Sequence, residues 1–160
     1  MSQSAFEQIM TEIAGFIAAA PLDAGLAEAL AQKWPADSDM VSKIRQYCAA
    51  GLAEGWLMQH EGGGIRFGRA IKPGGAAGPF SVDVVQMDNL AGPHHIHDTG
   101  EIGLIMPISG PARFDGLAAG WYVYPPGSDH FPTVTGGSAF ILYLLPDGKI
   151  SFTGKKAPAK

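Results

Sequence analysis

Three histidines, His94, His95 and His97, fall within four positions of the stretch GPHHIHDTGEIGLIMPISG, Gly92 to Gly110. A glutamate, Glu101, follows four residues after the last of them. The apolar run from Ile102 to Ile108 then reads as a buried strand. Side chains at i and i+2 of a strand project to one face, so His95 and His97 can aim two imidazoles at one point. Glu101 lies across a short Asp98-Thr99-Gly100 turn and can bring a carboxylate there too. Two neutral imidazoles and a carboxylate suit a first-row transition metal such as zinc, iron, manganese, nickel or copper. The plainer reading is a cluster of hydrogen-bonded turn histidines, and His94, out of step with the other two, fits it best.

A second stretch, GWYVYPPGSDHFP from Gly120 to Pro132, ends a strand in a Pro-Pro-Gly turn, and His130 follows three residues after Gly127. The two stretches together resemble the two motifs of the cupin superfamily. His95, His97, Glu101 and Gly110 match the order of the first motif, and Gly120, Pro125, Gly127 and His130 that of the second. The resemblance covers about residues 65 to 152. It implies a jelly-roll β-barrel with His95, His97, Glu101 and His130 as ligands of a divalent transition metal. Some cupins bind no metal; the same four residues would then form a proton-transfer cluster. Three departures concern turns: Asn89 stands near the usual place of a glycine, Gly110 comes two residues late, and Val134 replaces a common asparagine.

The rest of the chain agrees with a β-barrel behind a helical N-terminus. Phe6, Ile9, Met10, Ile13, Phe16 and Ile17 have helical spacing, with Ser4 and Glu7 in a capping-box pattern. A second helix is expected over about Asp23 to Lys33, and a third from after Ser38 to about Glu54. WLMQHEGGGIRFGRAIKP reads as a hairpin around Glu61 to Gly64. From Phe80 the pattern alternates, with strands expected near 101–108, 112–114, 120–124, 131–135, 138–145 and 149–153. Most of the 22 glycines and 12 prolines fall after Gly62, where short strands need turns. The expected organisation is a helical segment over 1–60, a cupin barrel over 61–154 and a flexible tail over 155–160.

Three helices and a hairpin also describe a winged helix. The third helix offers only Lys43 and Arg45, and the net charge is −4, so a nucleic-acid partner is not expected. The helices are instead expected to cover one face of the barrel or to build a homo-oligomer, most simply a homodimer. No apolar run reaches the ~18 residues of a membrane helix, and the N-terminus lacks a signal-peptide pattern. The expected location is cytoplasmic. Cys48 sits in a helical pattern and reads as a core residue.

Arginine suits bidentate capture of a carboxylate, and Arg66, Arg69 and Arg113 are the candidates. Ile65, Phe67 and Arg69 share a strand face, which favours Arg69 as the inward one. Tyr122 and Tyr124, with Trp121 and Phe131, border the second motif and could line an apolar pocket. The helical N-terminus, the GGGIRFGRAIKPGG segment and the PHHIHDTGEIGLIMPISGPARFDG core together resemble the bacterial 4-hydroxylaminobenzoate lyases over nearly the full length. That resemblance implies conversion of 4-hydroxylaminobenzoate to 3,4-dihydroxybenzoate with release of ammonia. It makes Glu101, His94 and His130 the catalytic candidates, and Arg69, Arg113, Tyr122 and Tyr124 the contacts of a small aromatic carboxylate. Two alternatives remain: a metal-dependent dioxygenase or isomerase acting on another small acid, and a non-enzymatic cupin that senses a ligand.

Overall fold

The computed structural model describes residues 2–155, so 156–160 of the expected tail lie outside the described residues. The chain begins with α1 (Ser2–Ile17), α2 (Ala24–Lys33) and α3 (Asp39–Glu54). Asp23 Oδ1 accepts the Leu26 N–H at the start of α2, and Ser38 Oγ accepts the Val41 N–H at the start of α3. These satisfy donors that the first helical turn leaves free. Gly55 closes α3 in the left-handed conformation, with φ of 86°. Because α1 already begins at Ser2, Ser4 lies inside its first turn and is not its cap.

Among the described residues ten strands follow: β1 (His60–Gly62), β2 (Ile65–Ile71), β3 (Phe80–Ala91), β4 (His95–His97), β5 (Glu101–Pro107), β6 (Arg113–Phe114), β7 (Gly120–Tyr124), β8 (Ser128–His130), β9 (Thr133–Pro146) and β10 (Ser151–Phe152). The larger sheet runs β1-β2-β3-β9-β5-β7, with β6 also paired to β9; the smaller runs β10-β4-β8. All the strand pairings are antiparallel. The two stretches expected at 131–135 and 138–145 are one strand. The large sheet bends where they meet: the β3–β9 register shifts between Asp88 and Leu90, Asn89 takes a φ of 48°, and Gly136 and Gly137 also have positive φ. A side chain at Gly137 would overlap the Ser109 carbonyl. Strand β8, which carries His130, is too short to stand out in the sequence pattern.

Alternation divides the large sheet into two faces. Val82, Val84, Ile102, Leu104, Leu142 and Leu144 pack against helical residues such as Met10, Ile13, Leu30 and Ile44 in one continuous core. The helices therefore cover one face of the sheet, as expected. Trp121 donates its indole N–H to the Trp34 carbonyl at 2.9 Å, which ties the end of α2 to β7. The opposite face carries Val85, Met87, Ile105, Ile141 and Tyr143. The three-stranded sheet closes over that face, since a cavity between them is lined from both sheets. This is the two-sheet jelly roll of a cupin, with a helical N-terminus.

Candidate metal centre and its cavity

Strand β4 sets His95 and His97 on one face, and the β4–β8 register places His130 directly opposite His95. Their three Nε2 atoms converge: 3.0 Å from His95 to His97, 2.9 Å from His95 to His130, and 3.1 Å from His97 to His130. These contacts cannot all be hydrogen bonds. His95 Nδ1 lies 3.2 Å from the Pro93 carbonyl, which can only accept, so the ring proton sits on Nδ1. His130 Nδ1 lies 2.6 Å from the Asp115 carboxylate and is fixed the same way. Their Nε2 atoms therefore face each other as bare lone pairs. Burial, then the neighbouring His130 and His97 charges, push the His95 pKa down to about 3, so protonation does not relieve the repulsion at neutral pH.

A cation resolves this geometry. Three imidazole nitrogens within reach of one point, two of them turned in as lone pairs, are a donor set for a divalent transition metal. Glu101 stands at its edge, with Oε1 2.7 Å from His97 Nε2 and 3.7 Å from His130 Nε2. That oxygen is buried without a hydrogen-bond partner among the described residues, as is His97 Nδ1. A buried acceptor left unpaired costs free energy, and a metal beside the histidines would satisfy Oε1. The residues present thus fit a metal ion, with His95, His97 and His130 as the compact set and Glu101 as the available fourth donor.

The other carboxylate oxygen is held. Tyr122 donates to Glu101 Oε2 at 2.5 Å, and both side chains are buried. Burial first, then the Glu101 charge, raise the Tyr122 phenol well above its usual range, so it remains the donor. Gly103, opposite Tyr122 in the β5–β7 register, makes this possible: a Cβ there would overlap the Tyr122 ring. Behind His130, Asp115 also accepts the Tyr124 hydroxyl at 2.7 Å and the Thr133 backbone N–H at 3.0 Å.

The cluster opens onto a cavity of about 120 Å³ whose walls include Phe67, Val85, Phe114, Ile141, Tyr143 and Phe152, with His95, Glu101 and His130 at its polar end. The space is somewhat smaller than the apolar cavity of ~150 Å³ that holds a benzene ring, and it opens at its rim. Phe152 is 63% exposed and Phe67 is 40% exposed, which places apolar rings at the rim.

The remaining expected site residues fall elsewhere. His94 faces away: its Nδ1 lies 2.7 Å from Thr153 Oγ1 and its Nε2 2.6 Å from Asp129 Oδ2, so neither ring nitrogen is left for the cavity. Arg113 is exposed and donates to the Gly116 carbonyl, while its neighbour Phe114 takes the cavity side. Tyr122 and Tyr124 stand behind the cluster as hydrogen-bond donors and are absent from the walls. Arg69 lies on the cavity face of β2 beside Asp83, with Nε 3.0 Å from Asp83 Oδ1, and also donates to the Gly148 carbonyl. Sequence reasoning missed Asp115, Phe114 and Tyr143. Tyr143 could have been found by the period-2 pattern of β9, which sets it in step with Ile141; nothing local marks Asp115.

Comparison with known proteins identifies the family. The family described as PnbB: 4-hydroxylaminobenzoate lyase matches residues 8–152. A 4-hydroxylaminobenzoate lyase of Pseudomonas putida is 31% identical over 142 residues, covering 77% of this chain and 80% of that protein. One from Nocardioides sp. (strain LMS-CY) is 30% identical over 135 residues, covering 76% and 80%. Among solved structures, a salicylate 1,2-dioxygenase from Pseudaminobacter salicylatoxidans is similar with a TM-score of 0.48 and 11% identity, over 69% of this chain and 38% of that one. With residues 8–152 matched by the family and a named relative 31% identical over 77% of the chain, the chain belongs to the 4-hydroxylaminobenzoate lyase family.

Proposed function

We propose that this chain converts 4-hydroxylaminobenzoate and water to 3,4-dihydroxybenzoate and ammonia. The observation that carries this reading is the set of bare histidine nitrogens, with Glu101 beside them, at the polar end of an apolar cavity. The family match supports the choice of substrate. Atoms and electrons balance without an external donor. The N–O bond breaks, oxygen reaches the ring carbon next to the one bearing nitrogen, and water replaces the nitrogen as ammonia leaves. The nitrogen is reduced by as much as the ring is oxidised.

A divalent transition ion held by His95, His97 and His130, with Glu101 as fourth donor, would supply Lewis-acid polarisation of the oxygen. The rest is assigned to the chain. Phe67, Phe114 and Phe152 hold the ring and exclude bulk water. Glu101 Oε1 cannot ligate and carry a proton at once, so with the ion on the three histidines alone it is the atom from which a proton reaches the departing oxygen or to which one returns from water. Tyr122 keeps that carboxylate from rotating by holding Oε2. The substrate carboxylate is assigned to the Tyr143 end of the cavity, from which it would reach toward Arg69, on the same sheet face just outside the lining. Arg69 meets it as a shared cation, because Asp83 already occupies Nε.

Incubation of the purified protein with 4-hydroxylaminobenzoate under strict exclusion of oxygen tests this. Equimolar 3,4-dihydroxybenzoate and ammonia are expected. A requirement for oxygen would replace the lyase reading with a dioxygenase, and tight binding without turnover would replace it with a sensor.

A further inference from the structure

His95 and His97 are two apart on one strand, so the backbone of β4 largely fixes their mutual position. His130 comes from another strand, and its ring depends on a side chain to hold it. That side chain is Asp115, which takes three donors on one carboxylate. Oδ2 accepts His130 Nδ1–H at 2.6 Å and the Tyr124 hydroxyl at 2.7 Å. Oδ1 accepts the Thr133 N–H at 3.0 Å. The Asp115 backbone N–H in turn donates to the Thr133 carbonyl at 2.8 Å, so residue and strand β9 clasp each other. Asp115 has a φ of 51°, in the left-handed region that most non-glycine residues avoid. The strained backbone is kept where it lets the carboxylate reach His130 from just past the end of β6.

The three histidines are therefore not equivalent. His95 has a neutral backbone carbonyl behind it, and His97 Nδ1 has no hydrogen-bond partner among the described residues. Of the three, only His130 has a carboxylate behind its ring. A carboxylate behind an imidazole fixes its tautomer and orientation and makes the opposite nitrogen a better donor.

We propose that Asp115 is a positioning residue that holds His130 as the Nδ1–H tautomer, with its Nε2 lone pair on the cluster, and so sets the affinity of that cluster for a divalent transition metal. This rests on the cluster being a metal site, as in the proposed function, but not on which substrate is turned over.

The test uses the full chain and two measurements that need no substrate. Imidazole nitrogen spectra of the metal-free protein should show His130 protonated on Nδ1 and not on Nε2, and Asp115→Ala should give a mixture of tautomers. In a chelator competition with zinc, Asp115→Ala should raise Kd by about 10–100-fold. Asp115→Asn keeps the side-chain size and tolerates positive φ, so it carries the test if the alanine variant does not fold; it should raise Kd by about tenfold. A zinc Kd within twofold of the parent in a folded variant overturns the proposal, as does an Nε2-protonated His130 in the parent. A parent that binds no zinc, cobalt, manganese or iron overturns it together with the metal site. Weakened zinc binding in a protein inactive on 4-hydroxylaminobenzoate would leave Asp115 assigned and remove the substrate reading alone.

Discussion

The two faces of the large sheet are built from the same strands and do different work. On β5, Ile102, Leu104 and Met106 face the helices, while Glu101, Gly103 and Ile105 face the cavity side. On β3, Val82 and Val84 face the helices, and Asp83, Val85 and Met87 the other way. The helix face carries only apolar side chains at these positions, and its packing is non-directional. The cavity face spaces polar groups among apolar ones, and two of them are held at set distances, Glu101 by Tyr122 and Asp83 by Arg69 and Ser81. One face is expected to tolerate repacking at a cost in stability, and the other to lose function when a single hydrogen bond moves. The comparison predicts that substitutions one residue apart on a strand will fail in different ways.

The largest effect is expected at the histidines. His95→Ala or His130→Ala should lower kcat/KM by about 10³-fold or more, since loss of the proposed metal would remove several kcal/mol of transition-state stabilisation. The metal-free variants should stay folded and melt close to the metal-free parent, because removing one bare lone pair relieves repulsion. Parental turnover would move the site elsewhere, and unfolding would mean that the cavity face carries the fold as well. The opposite outcome is expected for Leu104→Ala on the helix face. Its loss from the core should cost about 2–5 kcal/mol and lower Tm by roughly 5–15 °C. The kcat/KM of the folded fraction should remain within twofold of the parent.

Gly103→Ala sharpens the comparison, because Gly103 neighbours Leu104 but looks at the cavity side. Its new Cβ would press on the Tyr122 ring and through it displace Glu101. A drop of about 10–100-fold in kcat is expected, matching loss of one aligned acid–base group, with zinc affinity changed far less. Tyr122→Phe should reproduce most of that drop without any steric change. If Gly103→Ala lost stability and kept its kcat, Tyr122 would be a packing residue and Glu101 would be positioned by the histidines alone.

Much of the fold was legible because it rests on periodicity. Helical spacing in Phe6 to Ile17, the start of a third helix after Ser38, and alternation from Phe80 onward are local signals, whereas the cap expected at Ser4 was misplaced. The convergence of His95, His97 and His130 was legible because i and i+2 on β4 and a turn before His130 are local as well. What stayed hidden depends on contacts between distant segments. Asp115 reaches His130 across 15 residues, Asp129 takes His94 across 35, and Gly136 and Gly137 bend β9 without ending it. The arginine choice was half legible. Alternation put Arg69 on the cavity face with Phe67, but the sequence did not show that Asp83, its partner on β3, would claim the guanidinium.

That pairing sets the smallest expected effect, at Arg69→Met. Asp83 is buried, and it accepts from Arg69 and from the Ser81 hydroxyl at 3.0 Å. Burial is the first cause acting on its carboxyl and raises the pKa above the ordinary aspartate value; Arg69 opposes the rise. Methionine at 69 removes that opposition, so the folded-state pKa of Asp83 should climb further above its unfolded value. A group raised in this way contributes stability that is present at low pH and lost as pH rises through the folded pKa. The melting difference between parent and Arg69→Met should therefore be near zero around pH 4 and grow toward neutrality. At pH 7 it should reach about 1 kcal/mol, kept small because the Arg69 side chain is 34% exposed and Ser81 remains. The same variant should weaken binding of 4-hydroxylaminobenzoate and leave zinc affinity unchanged. A pH-independent stability difference with unchanged substrate binding would make Arg69 a packing residue at the sheet edge. Loss of substrate binding without the pH-dependent difference would instead free Arg69 from Asp83 and make it the dedicated carboxylate anchor.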